Sequence, residues 1–310
     1  MAVIWITGGK GFIGRALAKY AAKRDCDIFG IGHGFWSTEE ASESSYSTWI
    51  NAEINFSNLN HLASISGVPK VIFHLAGGST VGASIQNPYE DFQRTVDTTA
   101  RLLDWVKQVS LDTRVVAASS AAVYGAGISG TISELAQCKP YSPYGFHKSM
   151  LESLFNSYRE AFNLDVAVVR LFSVYGAGLE KQLLWDLCNK IFKAETADII
   201  LNGTGKELRD WLHVSDAVVL LWLVGECNHS ADTVINGGTG IATSISKVAN
   251  KVFDQWGGHY TANFNGVSRT GDPLSLVANI KKANELGFSP LVNLDAGIKD
   301  VVQWFKARVI

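Results

Sequence analysis

The sequence predicts an α/β protein: a doubly wound parallel sheet followed by a smaller lobe toward the C-terminus. Three observations carry this. Short apolar runs alternate with amphipathic stretches of helical period as far as about residue 170, a succession that implies parallel strands joined by helical crossovers. The first strand-to-helix junction is a glycine turn, Thr7-Gly8-Gly9-Lys10-Gly11-Phe12-Ile13-Gly14. Of 310 residues, 47% are hydrophobic and 18% charged, against ~25% charged in an average soluble domain. That is ample apolar material for a core, and it excludes global disorder.

Each element follows from its residues. The apolar run at 3–6 is the first strand, and 11–23 puts Ile13, Leu17 and Tyr20 on one helical face. Residues 28–31 and 71–73 read as the second and third strands. A long helix spans 89–109, with Pro88 where a first-turn proline belongs. Residues 115–118 form a fourth strand, Pro143 opens a helix running to about 162, and 166–170 form a fifth strand. Beyond Gly176 the rhythm loosens into helices over 183–193, 216–224, 246–255 and 295–306, with extended pieces at 199–201 and 234–235. The expected division is a sheet domain in 1–170 and a lobe mainly in 171–310, the chain returning to the sheet domain near 210–240. The Ser-rich stretch 37–47 reads as one surface loop.

Lys plus Arg number 27 and Asp plus Glu 29, a net charge of −2. That balance draws the protein to neither nucleic acid nor an anionic membrane. Cys26, Cys138, Cys188 and Cys227 stand far apart in sequence, which argues against a disulfide framework and suits a reducing compartment. No His, Cys, Asp and Glu grouping has metal-ligand spacing, so no metal is implied. The longest apolar run, 217–224, is far short of the ~20 residues that span a bilayer. The apolar start at 2–6 is too short for a signal core. The expectation is a soluble, cytoplasmic protein.

The glycine turn suits a dinucleotide. One glycine permits the tight turn, one lets the backbone approach a pyrophosphate, and one lets helix and strand pack closely. The helix N-terminus then offers N–H groups and the positive end of its dipole. Between a first strand and a first helix, this is the dinucleotide-binding (Rossmann) arrangement. Gly8, Lys10, Gly11, Phe12, Ile13 and Gly14 are therefore candidate cofactor residues. An NAD site commonly places an acid at the end of strand 2, but here that strand ends in Gly32-His33-Gly34. A 2′-phosphate meets no repulsion there, and Lys10 and His33 can contact it. NADP(H) is favoured on this reading, with NAD the alternative.

Tyr144 and Lys148 stand four apart in Ser142-Pro143-Tyr144-Gly145-Phe146-His147-Lys148, which puts them on one helical face. An ammonium near a phenol favours the phenolate and lowers a pKa that starts near ~10. Such a tyrosine can pass a proton to or from a sugar oxygen while hydride moves at carbon. Ser119-Ser120 lies at the end of the fourth predicted strand, where open α/β sheets bind ligands.

Together these residues resemble the extended short-chain dehydrogenase/reductase family of nucleotide-sugar epimerases, dehydratases and reductases. The resemblance runs along the whole chain. His74-Leu75-Ala76-Gly77, Thr80-Val81-Gly82-Ala83-Ser84 with Asn87-Pro88, Arg170-Leu171-Phe172-Ser173-Val174-Tyr175-Gly176, Gly203 to Trp211 and Arg269-Thr270-Gly271-Asp272-Pro273 are similar to its motifs. The resemblance implies Ser120, Tyr144 and Lys148 as catalytic. It adds Leu75 and Ala76 to the cofactor residues, and Lys148 would also hold the cofactor's ribose. For a nucleotide-diphosphate sugar it implies Ser79, Ser84, Ser119, Ser173, Arg209 and Arg269, the two arginines facing the diphosphate. It also implies a homodimer through the helices at 89–109 and 143–162, where Leu151, Leu154, Phe155 and Tyr158 either supply apolar surface or pack inward.

Departures from the family pattern narrow the reaction. Dehydratases of this family carry an acid pair just after the motif serine, and here those positions are Ala121 and Ala122. Neither can expel a hydroxyl or take a proton, so dehydration is excluded, and the related sugar-acid decarboxylases are disfavoured. Thr95 and Ser173 replace family asparagines and shorten the reach. His147 and His213 read as packing or surface. The leading expectation is reduction of the C4 ketone of a nucleotide-linked 4-keto-6-deoxyhexose by NADPH. The alternative is a nucleotide-sugar 4-epimerase with tightly held NAD, and a third reading is a non-catalytic NADP-binding regulator.

Overall fold

Sequence dictates the strongest elements at their ends. The helix opened by Pro143 has Ser142 as its N-cap, the serine oxygen accepting from Gly145 N–H at 3.2 Å, and it stops at Asn163 in the left-handed conformation. The computed structural model describes residues 2–227, 233–267 and 273–309. In chain order it runs β1 (Ala2–Thr7), α1 (Phe12–Ala21), β2 (Cys26–Gly32), α2 (Thr38–Glu43), β3 (Thr48–Asn51), α3 (Phe56–Ser66) and β4 (Val71–His74). Next come α4 (Val81–Gln86), α5 (Pro88–Phe92), α6 (Thr98–Val109), β5 (Arg114–Ser120), α7 (Pro143–Phe162) and β6 (Val166–Leu171). The remainder is β7 (Ser173–Tyr175), α8 (Gln182–Phe192), β8 (Asp198–Leu201), β9 (Leu208–Arg209), β10 (Trp211–His213), α9 (Val214–Glu226) and β11 (Val234–Gly237), then β12 (Thr243–Ser244), α10 (Ile245–Trp256), β13 (Thr261–Phe264), β14 (Ser275–Leu276), α11 (Lys281–Glu285) and α12 (Leu294–Val309).

Seven strands form the central sheet in the order β11-β6-β5-β4-β1-β2-β3, every neighbouring pair parallel. This is the doubly wound order with one strand added beside β6. The sheet's two faces are sorted by strand periodicity. Ile4 and Ile6 of β1 join Leu17 of α1 and Leu221 of α9 on one face. Trp5 between them joins Leu59 of α3, Trp105 of α6 and Leu151 of α7 on the other. A third core, with Leu187, Val252 and Phe305, ties α8, α10 and α12 together in the C-terminal lobe. Among the described residues no helix is long and apolar enough to cross a membrane.

Two expectations need correction, and one open alternative is decided. The stretch 37–47 is not all loop: Ser37 and Glu40 form a reciprocal capping box that starts α2, and the edge strand β3 follows. The helix over 89–109 is interrupted at Gln93–Asp97 by a single π turn between α5 and α6, a feature often found beside functional sites. Leu151 and Phe155 are core residues, and Leu154 and Tyr158 pack partly buried against them. The large apolar side chains left exposed on α5 and α7 are Tyr89, Phe92, Phe146, Met150 and Phe162.

Candidate active site

Beyond the carboxyl ends of the strands lies a cleft of 1110 Å³, where the crossovers diverge and ligands are expected. Of the sequence-predicted residues, Gly8, Lys10, Gly11, Phe12, Ile13, Gly14, His33, Leu75, Ala76, Ser79, Ser119, Ser120, Tyr144, Lys148, Ser173 and Arg209 line it. Ser84 does not, and Arg269 lies outside the described residues.

The glycine turn is shaped for close backbone approach. Gly8 sits at φ +65°, and a Cβ there would fall 2.7 Å from Ala76 N. A Cβ on Gly14 would fall 2.6 Å from Gly9 Cα. The N-cap of α1, Gly11, brings no side chain to its first N–H groups, which leaves that end to an anion. A dinucleotide pyrophosphate fits this cradle. At the end of β2, Gly34 N–H donates to Asn51 Oδ1 and Trp49 Nε1 donates to Gly34 O, at 2.9 and 3.0 Å. Lys10 Nζ donates to Phe35 O at 2.5 Å. Glu53, just after β3, also lines the cleft. Sequence reading overlooked this acid because it overlooked β3.

Beneath the cleft runs a closed chain of hydrogen bonds. Ala76 N–H donates to Thr7 Oγ1 at 3.2 Å, and Thr7 Oγ1 lies 2.8 Å from His74 Nδ1. His74 Nε2 lies 3.0 Å from Thr99 Oγ1, which donates to Thr95 O at 2.5 Å. Thr95 Oγ1 accepts from Gly78 N–H at 2.8 Å. With Thr99 donating onward, its oxygen accepts from His74 Nε2–H, so Nδ1 accepts from Thr7 O–H and the imidazole is neutral. Burial, helped by the Lys148 charge, pushes the His74 pKa down to about 3. The folded value lies below the unfolded one, so this stability is present above about pH 6.5 and lost as pH falls toward the folded value. Between pH 6.5 and 5 the loss is about 2 kcal/mol. Urea unfolding at the two pH values should show it, and His74→Gln should remove most of the difference.

The candidate catalytic groups meet at the end of β5. Ser120 Oγ accepts from Ala122 N–H at 3.2 Å, and Ser120 and Tyr144 line the same wall of the cleft. Lys148, one helical turn on, donates to Ala118 O at 2.9 Å, its Nζ 5.9 Å from the centre of the Tyr144 ring. The sequence led us to expect a lowered phenol pKa. Burial wins instead and raises it, the neighbouring Ser120 hydroxyl opposing and the Asp91 charge adding. Burial also pushes the Lys148 ammonium down to about 8, against the upward pull of Asp91 and then Glu152.

Two serines do not face a ligand as expected. Ser84 is buried, donates to Val81 O at 2.8 Å and accepts from Tyr144 N–H at 3.0 Å, so it anchors the start of α7. Ser119 turns its hydroxyl to Glu152 Oε1 at 2.6 Å. His147 is buried, and its Nδ1–H donates to Asp91 Oδ2 at 2.5 Å. Thr95 was noted only as standing in for a family asparagine, and Asp91 and Glu152 were not picked out as site residues. Only Glu152 left a signal, standing one helical turn past Lys148.

On the lobe side, Arg209 lines the cleft and donates to Leu208 O and Pro273 O, both at 2.9 Å. Asp210 beside it is buried and accepts N–H groups from Thr239, Gly240 and Ala278, which fixes β9 against the following loops. Ala121 and Ala122 line the cleft and bring no acid to it. Among the described residues no group of three His, Cys, Asp or Glu could hold a metal ion.

A family model described as NAD dependent epimerase/dehydratase matches residues 4–238. The chain belongs to the NAD dependent epimerase/dehydratase family. Its relatives in this epimerase/dehydratase family match end to end. A putative UDP-glucose 4-epimerase of Methanocaldococcus jannaschii is 27% identical, with 98% of each chain covered. A UDP-glucuronate 4-epimerase of Thermodesulfobacterium geofontis is 25% identical over 98% of this chain and 96% of its own. The structure of a UDP-glucuronic acid 4-epimerase from Bacillus cereus with UDP-glucuronic acid and NAD superposes at a TM-score of 0.88, with 26% identity and 99% of each chain covered.

Proposed function

We propose that this protein is a nucleotide-sugar 4-epimerase that keeps NAD bound, with UDP-hexoses as the first substrates to test. The observation that carries the proposal is that Ser120, Tyr144 and Lys148 line one cleft, beside a glycine cradle and without an acid pair. The end-to-end likeness to 4-epimerases favours this reading over the 4-ketoreductase expected from sequence. The NAD named with the Bacillus cereus relative weighs the same way against NADP(H).

In this mechanism the glycine turn from Gly8 to Gly14 holds the cofactor's pyrophosphate, and Lys148 holds its ribose. Bound NAD supplies a reversible hydride acceptor at C4 of the sugar. Tyr144 takes the proton of the C4 hydroxyl as the ketone forms and returns it when the alcohol is remade. Ser120 holds the same oxygen and keeps the phenol aimed at it. Arg209 meets the diphosphate, its planar fork suited to phosphate oxygens. The sugar turns its other face between the two half-reactions, so C4 is inverted without net redox change. Ala121 and Ala122 leave no acid to divert the ketone into dehydration.

The same proposal includes a homodimer through α5, α6 and α7, supported by exposed Tyr89, Phe92, Phe146 and Met150, and a cytoplasmic location, supported by unpaired cysteines. One observation favours the ketoreductase: β2 ends without a carboxylate, and Lys10 and His33 line the cleft there. Mass spectrometry of cofactor released by denaturing fresh protein tests the choice. Near-stoichiometric NAD supports the epimerase. Cofactor-free protein, or NADP(H) alone, supports the reductase.

A further inference from the structure

Asp91 occupies a place where a carboxylate is costly, and the mechanism above does not use it. It is 6% exposed, on α5. One oxygen, Oδ2, accepts from His147. The other packs under Gly78 so closely that a Cβ on Gly78 would overlap it. Gly78 belongs to the cleft wall, and His147 immediately precedes Lys148. A Cβ on the neighbouring Gly77 would lie 3.3 Å from both Lys148 Nζ and Thr95 Oγ1. Asp91 is thus one residue away from Lys148 along two separate segments of backbone, one of which, Gly77–Gly78, runs beside the ammonium.

The groups facing the Tyr144–Lys148 pair can be named element by element. From β4 comes His74, held neutral. From β5 comes Ser120, uncharged. From α7 come His147 and Glu152. Glu152 is matched by Arg170 of β6, which reaches both its oxygens, and by Ser119. From α5 comes Asp91, whose ion-pair partner among the described residues is His147. Of the two carboxylates, Asp91 is the one without a guanidinium to offset it.

We infer that Asp91 is a positioning residue for the reaction, acting through Gly78 and His147, and that its charge sets the pH window in which Tyr144 and Lys148 work. The inference rests on the reading of Tyr144 as the acid–base group. Turnover needs the phenol deprotonated on the acid side and the ammonium protonated on the alkaline side. Burial raises the phenol and lowers the ammonium, and the Asp91 charge raises both. Taking that charge away moves both limbs of the profile to lower pH, by about one unit for a charge at this depth. Because the two groups interact, the limbs belong to the pair rather than to either residue.

The test is Asp91→Asn in the full chain, which keeps the side chain's size and removes its charge. Bound cofactor and the unfolding midpoint check the fold. Asp91→Ser removes the same charge with a smaller side chain should the amide pack badly under Gly78. The readouts are the pH profile of kcat/KM on the nucleotide sugar that wild type converts, and the ultraviolet difference titration of the Tyr144 phenol against Tyr144→Phe. The expected result is a downward shift of both limbs and of the phenol titration by about one pH unit, with KM little changed. Limbs that stay in place while kcat or stability falls would show a purely structural aspartate and overturn the inference. If wild type converts no nucleotide sugar, the functional reading fails, and the phenol titration still decides the inference.

Discussion

Tyr144→Phe is expected to cut turnover about a thousandfold, within the range that a positioned proton-transfer group contributes, while cofactor content stays unchanged. The phenol oxygen is the group that can move a proton at the cleft, which Ser120 lines beside it. Phenylalanine keeps the ring's packing and removes only that oxygen. The stability cost is about 1 kcal/mol, one hydrogen bond's worth, so loss of activity cannot be charged to unfolding. Single-turnover kinetics with the nucleotide sugar, alongside cofactor content and an unfolding curve, check it. Full activity in the variant removes Tyr144 from the acid–base role. Equal cofactor binding with lost turnover sinks the regulator reading.

Arg170→Met is expected to cost about 3–5 kcal/mol of folding stability, the penalty for breaking a buried ion pair by removing one partner. Arg170 is 6% exposed in β6. Its Nη2 donates to Glu152 Oε2 at 2.7 Å, and its Nη1 donates to Tyr124 Oη at 3.0 Å and Glu134 O at 3.1 Å. Tyr124 Oη donates to Asn236 Oδ1 at 2.6 Å, and Asn236 Nδ2 donates to Ile132 O at 2.8 Å. One guanidinium therefore ties α7, β6, β11 and the loop after β5 together. Methionine fills much of the space but leaves Glu152 buried with only Ser119 to answer it. Against a total stability of about 5–15 kcal/mol, that is enough to lower the urea midpoint severely. The double variant with Glu152→Met should recover much of the loss, because the uncompensated charge goes with it. A single variant losing under about 1 kcal/mol would mean the pair is not what holds these segments.

The sheet strands announced themselves in sequence because a strand buried on both faces has no polar positions to blur it. All of β6 is buried, and the run Val166–Arg170 already reads that way. The helix running from Pro143 to about 162 was legible because a proline belongs in a first helical turn. The short edge strand β3 had no such signature: Thr48 to Ile50 is half-buried throughout and Asn51 exposed, so no alternation appears. Losing β3 also lost Glu53. That Ser120, Tyr144 and Lys148 would line one cleft was legible because the family motifs mark them and helical spacing and strand ends place side chains reliably. What surrounds it was not. Ser119 and Ser84 look like ligand residues by position, yet Glu152 and the start of α7 claim their hydroxyls. Asp91 and His147 come from helices 56 residues apart, and no local pattern reports that they touch. The phenol's raised pKa also depends on burial that spacing alone cannot show.

The central claim is that C4 of a nucleotide sugar is inverted with no net redox change by a protein that carries its own cofactor. Proton NMR of a UDP-hexose incubated with the purified protein in D₂O, with no nicotinamide added, tests it most directly. The account predicts appearance of the 4-epimer, with the hydrogen at C4 retained and no deuterium entering C3 or C5. No conversion until NADPH and a 4-keto sugar are supplied, or deuterium appearing beside the ketone carbon, would contradict it.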